Sequence, residues 1–287
     1  MPEPSSGRKR WQGVGVSETP PAVPLARKRS IGRRVLDANR SIITPTLALV
    51  GIVIAWELVV VLFDVPRFLL PAPSAVLVET VERIDLLLRH AQATVYSTLV
   101  GFLLSVVIGI ALSALIVWSR TFEDAIYPLV VMTQVIPKVA IAPLLIVYLG
   151  FGQEPKIFLA FLVSFFPMVI NTTLGMKSVS VELLELLATL KANRWQVMTK
   201  VRFKRAMPYM VEGAKIAITL AVIGAIVGEF SAGGTGLGYL ILSASSNLDT
   251  TLGFSALFVL IIVGVILFEI IHIGGRLLMP WAPRTSL

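Results

Sequence analysis

Six apolar stretches of about 20 residues constrain this chain more than any other feature. A helix needs about 20 mostly apolar residues to cross a hydrocarbon layer of roughly 30 Å, because each residue advances about 1.5 Å. The stretches cover residues 42–63, 95–118, 126–149, 157–176, 209–230 and 251–273. With 56% hydrophobic and 15% charged residues, the chain is far more apolar than a soluble domain. The sequence therefore predicts an all-α integral membrane protein whose membrane domain, residues 41–287, has six transmembrane helices.

The basic residues indicate how these helices are oriented. The net charge is +8, and most Lys and Arg fall in residues 1–41 and 177–208, which lie on one side of the membrane if six helices cross it. Because basic loops are retained in the cytoplasm, we expect both termini and residues 177–208 to be cytoplasmic, in a cell (inner or plasma) membrane. Topology thus accounts for the positive charge, and we expect the lipid bilayer, and no nucleic acid, as a partner.

The N-terminal segment and the residue inventory exclude several classes of site. Residues 1–40 are rich in Pro, Arg, Ser and Gly without an apolar run, so we expect a disordered, basic tail. Without cysteine, and with only His90 and His272, the chain has little material for a metal centre. No metal site and no catalytic residue are predicted.

A polar and basic interlude, residues 177–215, separates the fourth and fifth apolar stretches. It holds eight Lys or Arg against three Glu, yet it keeps apolar residues at helical spacing. The repeats are Leu183, Leu186, Leu187 and Leu190, then Trp195, Met198 and Val201. This pattern predicts two short amphipathic helices around Asn193, which need a partner surface.

Polar side chains at membrane depth are candidates to line a translocation path. They are Gln134, Lys138, Asn171 and Glu229. Buried ionisable groups are costly, so they usually face a cavity or pair with an opposite charge. Lys138 can therefore line a path or pair with Glu229. Pro137 and Pro143 beside it should bend the third span.

Small residues predict where helices approach one another closely. Gly101, Ser105, Gly109 and Ser113 recur every four residues, and Gly224 and Gly228 form a GxxxG face. The glycine-rich residues 231–247 are too short to span, so we expect them to dip into the outer mouth.

The interlude resembles the EAA coupling loop of ABC-importer permeases, in which E-A-A-x-x-x-G is followed by nine intervening residues and then by I-x-L-P. On this pattern the triplet is Glu185, Leu186 and Leu187, the glycine position is Lys191, and the last three positions are Val201, Phe203 and Lys204. Where the family has glycine, Asn193 is expected to supply a left-handed residue nearby. Lys204 in place of proline leaves the second helix free to continue toward Pro208.

Further motifs occur in the same order on the predicted spans. They are LLPAPSAV at 69–76, IPKVAIAPLLIVYLGFG at 136–152, NRWQ at 193–196, and IGAIVGEF and GLGYLI within 223–241. Together they resemble the nitrate/sulfonate/taurine branch of type I importer permeases, the MetI-like fold, over about residues 45–280.

The resemblance implies a permease that works with several partners. It pairs with a second copy, as a homodimer, or with a paralogue; an extracytoplasmic solute-binding protein delivers the cargo, and two ATPase subunits receive the coupling helices. The residues that couple to the ATPase would be Glu185, Leu186, Leu187, Lys191, Asn193, Arg194 and Trp195. Because the chain has no GxxxxGK[ST] motif, ATP and Mg²⁺ would be bound by the ATPase subunits, and this chain is expected to be neither an enzyme nor the holder of a cofactor.

The solute and two other functional classes stay open at this point. If Lys138 faces the cavity, it favours an organic anion such as a sulfonate, taurine or nitrate; if it pairs with Glu229, a small heterocycle such as a pyrimidine or flavin precursor fits. An ion-coupled secondary transporter also has buried charges, but no internal repeat is seen. A non-transporting membrane scaffold would use the leucine stripe for docking alone.

Overall fold

A computed structural model describes the backbone of residues 31–280 and the side chains of residues 43–280, and all regular structure in this part of the chain is helical. The helices are α1 (Ile31–Leu62), α2 (Pro73–Glu82), α3 (Ile84–Trp118), α4 (Arg120–Met132), α5 (Lys138–Leu149), α6 (Glu154–Lys177), α7 (Val181–Thr189), α8 (Arg194–Gln196), α9 (Phe203–Ala232), α10 (Leu237–Ser246) and α11 (Thr250–Leu278). A π-helical turn, Val197–Arg202, joins α8 to α9. The chain divides into two compact units, Met1–Ile52 and Val53–Leu287, and all the sites described below lie in the second.

Five helical segments of the described chain are long and apolar enough to cross a membrane. They are Ile43–Leu62, Ile84–Trp118, Glu154–Lys177, Arg194–Ala232 and Thr250–Leu278. The third predicted span is instead a bent pair, α4 and α5, and it brings the count to six if the pair crosses as one span. The prediction of an all-α membrane protein with this number of spans is confirmed.

The third span breaks where a proline was expected to bend it. Helix α4 runs into a short 3₁₀ turn, Thr133–Val135, and α5 starts directly after Pro137, at 96° to the first segment. Ile136 is extended because the ring of the following proline excludes the α conformation. Pro143 lies inside α5 and ends no helix.

The first helix starts earlier than the composition suggested. Residues 31–40 were expected to lack regular structure, but α1 begins at Ile31 and continues into the first apolar stretch. Extending an existing helix adds one hydrogen bond per residue without a new nucleation cost, which favours this continuation. The rest of the predicted tail, residues 1–30, lies outside the described residues.

Helices α3 and α9 both pack closely on α6, through the small residues that the sequence singled out. A Cβ atom added to Gly101 would lie 2.6 Å from Ala160 Cβ, and one added to Gly224 would lie 2.6 Å from the carbonyl oxygen of Leu159. Real Cβ atoms do not approach this closely, so only glycine allows the two backbones to meet here. The predicted packing faces are confirmed.

The glycine-rich segment after α9 forms the short helix α10. With ten residues it is too short to span, as predicted. Its buried residues, Leu237, Leu240 and Ala244, pack against Leu87 of α3 and Ala256 of α11. Burial on both sides fixes α10 to the helices around it.

Candidate functional site

A cavity of about 230 Å³ lies between α5, α6 and α9. Its walls are Lys138, Val139, Leu159, Val163, Ile223, Gly224 and Val227. Lys138 is the only charged member of this apolar lining, and it stands at the first position of α5, directly after the break at Pro137. The break therefore places one cation at the wall of a cavity within the membrane-spanning bundle.

The Lys138 ammonium group has no carboxylate partner among the described residues. Its Nζ donates to the main-chain oxygen of Gln134 at 3.4 Å, and it lies 4.8 Å from the centroid of the Phe166 ring. A cation over an aromatic face is attracted by the ring quadrupole, so this contact stabilises the ammonium group and leaves its positive charge unneutralised. The alternative in which Lys138 pairs with Glu229 is wrong.

Two further path candidates lie away from this cavity. Gln134 belongs to the 3₁₀ turn, and its side chain is exposed. Asn171 donates from Nδ2 to the carbonyl oxygen of Pro167 at 2.9 Å, within α6. Its Cβ faces Gly213, where an added methyl group would come within 2.8 Å, so Asn171 belongs to the contact between α6 and α9.

Glu229 does not line the cavity either; it is fully buried, with 0% of its surface exposed. Its Oε2 accepts a hydrogen bond from the main-chain N–H of Gly238 at 2.8 Å. The charged group that interacts with it is Lys156, at the start of α6. Glu229 therefore binds the protein's own backbone and not a passing solute.

Three more side chains bind the loop of residues 235–238, which contains the start of α10. Together with Glu229 they form what we call the loop anchor: His90, Thr94, Lys156 and Glu229. His90 Nδ1 lies 2.9 Å from the carbonyl oxygen and 3.1 Å from the nitrogen of Gly236. Thr94 Oγ1 accepts from the N–H of Leu237 at 2.8 Å, and Lys156 Nζ donates to the carbonyl oxygen of Thr235 at 2.8 Å.

The loop anchor satisfies the start of α10. The first N–H groups of a helix have no partner within it, and buried ones are costly when left unpaired. Thr94 and Glu229 accept from the first two N–H groups of α10, so side chains of α3 and α9 complete its N-terminus. His90, Thr94 and Lys156 were missed in the sequence, since no short-range spacing links them to residues 235–238.

The segment predicted to couple to an ATPase, residues 177–208, which we call the coupling segment, forms a helix, a turn and a second helix. Ser180 caps α7 by accepting from the N–H of Leu183 at 3.4 Å. Lys191 itself adopts the left-handed conformation, with φ +56°, at the position where the resembled family has glycine. The expectation that Asn193 would do so is wrong.

Asn193 instead starts the second helix. The φ of Asn193 is −76°, and its Oδ1 accepts a hydrogen bond from the N–H of Gln196 at 2.8 Å. In return, Gln196 Oε1 accepts from the N–H of Asn193 at 3.0 Å. This reciprocal capping box pairs two N–H groups that otherwise lack partners. From there the helix continues without interruption, through Pro208, to Ala232, as the lysine at position 204 had suggested.

The coupling segment is packed against the membrane helices through a buried methionine, whereas the leucines of its first helix are uncovered. Met198 is buried with Met176, Ala206 and Met210. The leucine stripe of α7, by contrast, is open: Leu186 is 55% and Leu190 70% exposed.

Charges on the coupling segment are uncovered as well. Its charged side chains from Glu182 to Arg205 form no ion pair with any described residue; they are Glu182, Glu185, Lys191, Arg194, Lys200, Arg202, Lys204 and Arg205. Of the predicted coupling residues, Trp195 is 66% exposed and contacts Trp118 edge-on, with ring centroids 6.2 Å apart.

Comparison with known proteins places this arrangement in a family. Residues 101–281 match the family model described as "Binding-protein-dependent transport system inner membrane component". The chain is 33% identical to the formylaminopyrimidine transport permease protein ThiX of Halalkalibacterium halodurans, over 84% of this chain and 96% of that one. It is 36% identical to the riboflavin transport system permease protein RibX of Chloroflexus aurantiacus, over 82% and 88% of the two chains.

More distant matches agree. The putative aliphatic sulfonates transport permease protein SsuC of Bacillus subtilis is 28% identical, over 88% of this chain and 91% of that one. An inward-facing structure of the MetNI methionine ABC transporter matches with a TM-score of 0.59 at 20% identity, covering 69% of this chain and 97% of that chain, and it supports the fold. The chain therefore belongs to the inner-membrane permease family of binding-protein-dependent ABC importers.

Proposed function

We propose that the coupling segment lies in the cytoplasm and is the surface on which a separate ATPase subunit docks. The observation that carries this proposal is the set of open groups there: exposed leucines on α7 and eight charged side chains without ion pairs in the described chain. An amphipathic helix normally lays its apolar face in a groove of a partner. Two ATPase subunits, which bind ATP and Mg²⁺, would each receive one such segment.

The rest of the chain provides the means to transmit the movement of an ATPase. The helix Arg194–Ala232 has 39 residues, so it extends about 58 Å at 1.5 Å per residue. It starts in the coupling segment, passes the cavity wall at Ile223, Gly224 and Val227, and ends at the loop anchor with Glu229. A rigid-body displacement of its lower end therefore changes the cavity, which is how alternating access operates.

A second permease chain, identical or a paralogue, would close the cavity. Val139 and Ile223 line it and are nevertheless 60% and 51% exposed, so the apolar wall is open on one side. A path for a solute has to be shielded from lipid, and a symmetric pair shields both open walls at once. With both termini cytoplasmic, an external binding protein would deliver the solute to the side of the loop anchor.

The proposed solute is a small organic anion. Lys138 supports this assignment because it puts an unneutralised positive charge on an otherwise apolar wall. SsuC of Bacillus subtilis carries the name of a sulfonate permease. A neutral heterocycle is the second candidate, and it is favoured by the higher identity to ThiX and RibX, whose names specify a formylaminopyrimidine and riboflavin.

Replacement of Lys138 by Met tests the solute class. The complete transporter, with ATPase and binding protein, is reconstituted in vesicles, and ATP-driven uptake of a sulfonate and of a pyrimidine is measured. Lys138→Met should lower sulfonate uptake about tenfold or more, the equivalent of one lost charge interaction of about 1.4 kcal/mol, whereas Lys138→Arg should keep most of it.

Each outcome of this experiment is decisive. Sulfonate uptake that is unchanged in Lys138→Met contradicts the electrostatic role, and uptake of the pyrimidine alone supports the heterocycle. Uptake driven by an ion gradient without ATP would contradict the proposed ATPase partner.

A further inference from the structure

A second pocket, of about 410 Å³, lies where the end of α3 meets the coupling segment, and it takes Arg194 and Arg202 from the unpaired charges of that segment. Its lining consists of Val117, Trp118, Ser119, Arg120, Ala192, Arg194, Val197, Met198 and Arg202. Three of these nine residues are arginines, and none is acidic. The pocket is therefore a concentrated positive site.

The three arginines are free to bind an anion. Arg120, Arg194 and Arg202 form no ion pair or side-chain hydrogen bond with any residue in the described part of the chain. They come from three separate places: the first residue of α4, the first residue of α8, and the last residue of the π-helical turn. Guanidinium groups match phosphate oxygens in a planar, two-pronged geometry, so three of them suit a phosphate.

The π-helical turn is the reason that two pocket residues lie on one side. In this turn the N–H of residue i+5 bonds the carbonyl of residue i, as Phe203 does with Met198. Val197 and Arg202, also five apart, are therefore brought closer to the same side of the turn, and both line the pocket. In an α-helix they would be about 140° apart around the axis, at 100° per residue.

The position of the pocket relative to the membrane points to a lipid. Trp118 is the last residue of the apolar span Ile84–Trp118, so Arg120 stands just beyond the end of an apolar span. Trp118 pairs with Trp195 beside the pocket, and tryptophan is typical of the boundary between hydrocarbon and headgroups. Exposed Leu115 and Phe122 continue this boundary as an apolar surface, against which acyl chains can lie.

We infer that this pocket binds the phosphate headgroup of an anionic phospholipid. The three arginines hold the phosphate, the two tryptophans flank the glycerol region, and the acyl chains extend along Leu115 and Phe122. Because the pocket walls belong both to the α3–α4 corner and to the start of the second coupling helix, the bound lipid ties these elements together. This role is separate from the leucine stripe on α7.

The experiment measures lipid binding directly in the purified full-length chain. Native mass spectrometry and thermal unfolding are recorded in detergent with added phosphatidylglycerol, phosphatidylcholine or inorganic phosphate. Wild-type protein should bind phosphatidylglycerol in preference to phosphatidylcholine and unfold at a higher temperature with it. Each arginine removed should weaken binding about fivefold, so Arg120→Gln with Arg202→Gln should weaken it about 25-fold.

Arg205→Gln is the matched control, since Arg205 is an exposed, unpaired arginine three residues from Arg202 that does not line the pocket. It should bind phosphatidylglycerol as the wild type does. Equal loss in Arg205→Gln, or equal binding of the two lipids, would overturn the inference. The same protection by inorganic phosphate alone would assign the pocket to a free anion and would also overturn the inference.

Discussion

The loop anchor and the coupling segment differ in whether their polar side chains have partners within the chain. At the loop anchor, four polar side chains from α3, α6 and α9 bind backbone groups of residues 235–238, and Glu229 is fully buried. On the coupling segment, eight charged side chains have no ion pair in the described chain, and the leucine stripe of α7 is open. One region is completed by its own chain, and the other is the surface on which we propose that the ATPase docks.

The difference predicts where substitutions damage the protein itself. Changes at the loop anchor should lower the stability of the isolated chain, because they leave buried polar groups without partners. Changes on the coupling segment should leave the isolated chain stable and weaken assembly. The following substitutions test this contrast in the order of their expected effect on thermal unfolding.

Gly236→Ala should have the largest effect. Gly236 has φ +117°, which L residues rarely adopt, and an added Cβ would collide with the carboxylate of Glu229. We expect a loss of about 4 kcal/mol of stability, or no folded protein, because neither the buried carboxylate nor the backbone has space to move. Thermal unfolding of the purified chain measures it.

Gly234→Ala is the control, since Gly234 also has a positive φ, +80°, but has open space around its Cα. It should lose only about 1–2 kcal/mol of stability, which is the cost of a positive φ for an L residue. Equal losses in the two variants would contradict the role of the Glu229 contact.

Glu229→Ala should destabilise the chain by about 2 kcal/mol, since it leaves the buried Gly238 N–H without its acceptor. Glu229→Gln keeps an acceptor for Gly238 and should recover part of the loss. Unfolding temperatures of the three proteins decide this, and an Ala variant as stable as the wild type would show that the loop anchor is dispensable.

Lys191→Gly should stabilise the turn of the coupling segment by about 1 kcal/mol, because glycine adopts φ +56° without the steric cost that an L residue carries. Lys191→Ala removes the charge and keeps the Cβ, so it should gain nothing. The comparison is made by thermal unfolding, and an Ala variant that gains as much as the Gly variant would indicate a charge effect instead.

Regular patterns in the sequence predicted the helices, whereas the sites depend on contacts between distant residues. The apolar lengths, the small-residue faces and the leucine stripe repeat within a few residues, so the spans, the packing faces and α7 could be predicted. The sequence left open whether Lys138 lines a path or pairs with Glu229, and the pairing is excluded because Lys138 lies over the Phe166 ring and the charge that acts on Glu229 is that of Lys156. Lys156, at the start of α6, gave no local signal in the sequence that its charge would act on Glu229.

Two local backbone conformations could not be predicted from the periodicity of the sequence. Asn193 was expected to be left-handed because asparagine tolerates that conformation, but its side chain makes a capping box and Lys191 accepts the strained φ. The arginine pocket depends on a π-helical turn, because an α-helix with 3.6 residues per turn would place Val197 and Arg202 on different sides.

Binding of the ATPase to a coupling-segment variant tests the central claim most directly. Leu183→Ser with Leu186→Ser removes two exposed leucines, and each buried leucine contributes about 2 kcal/mol, so ATPase affinity should fall roughly a thousandfold. Leu69→Ser is the control, since Leu69 is also an exposed leucine but lies before α2, outside the coupling segment. The account predicts an unchanged unfolding temperature and loss of the co-purified ATPase in the double variant alone; a double variant that retains the ATPase at the wild-type ratio would contradict it.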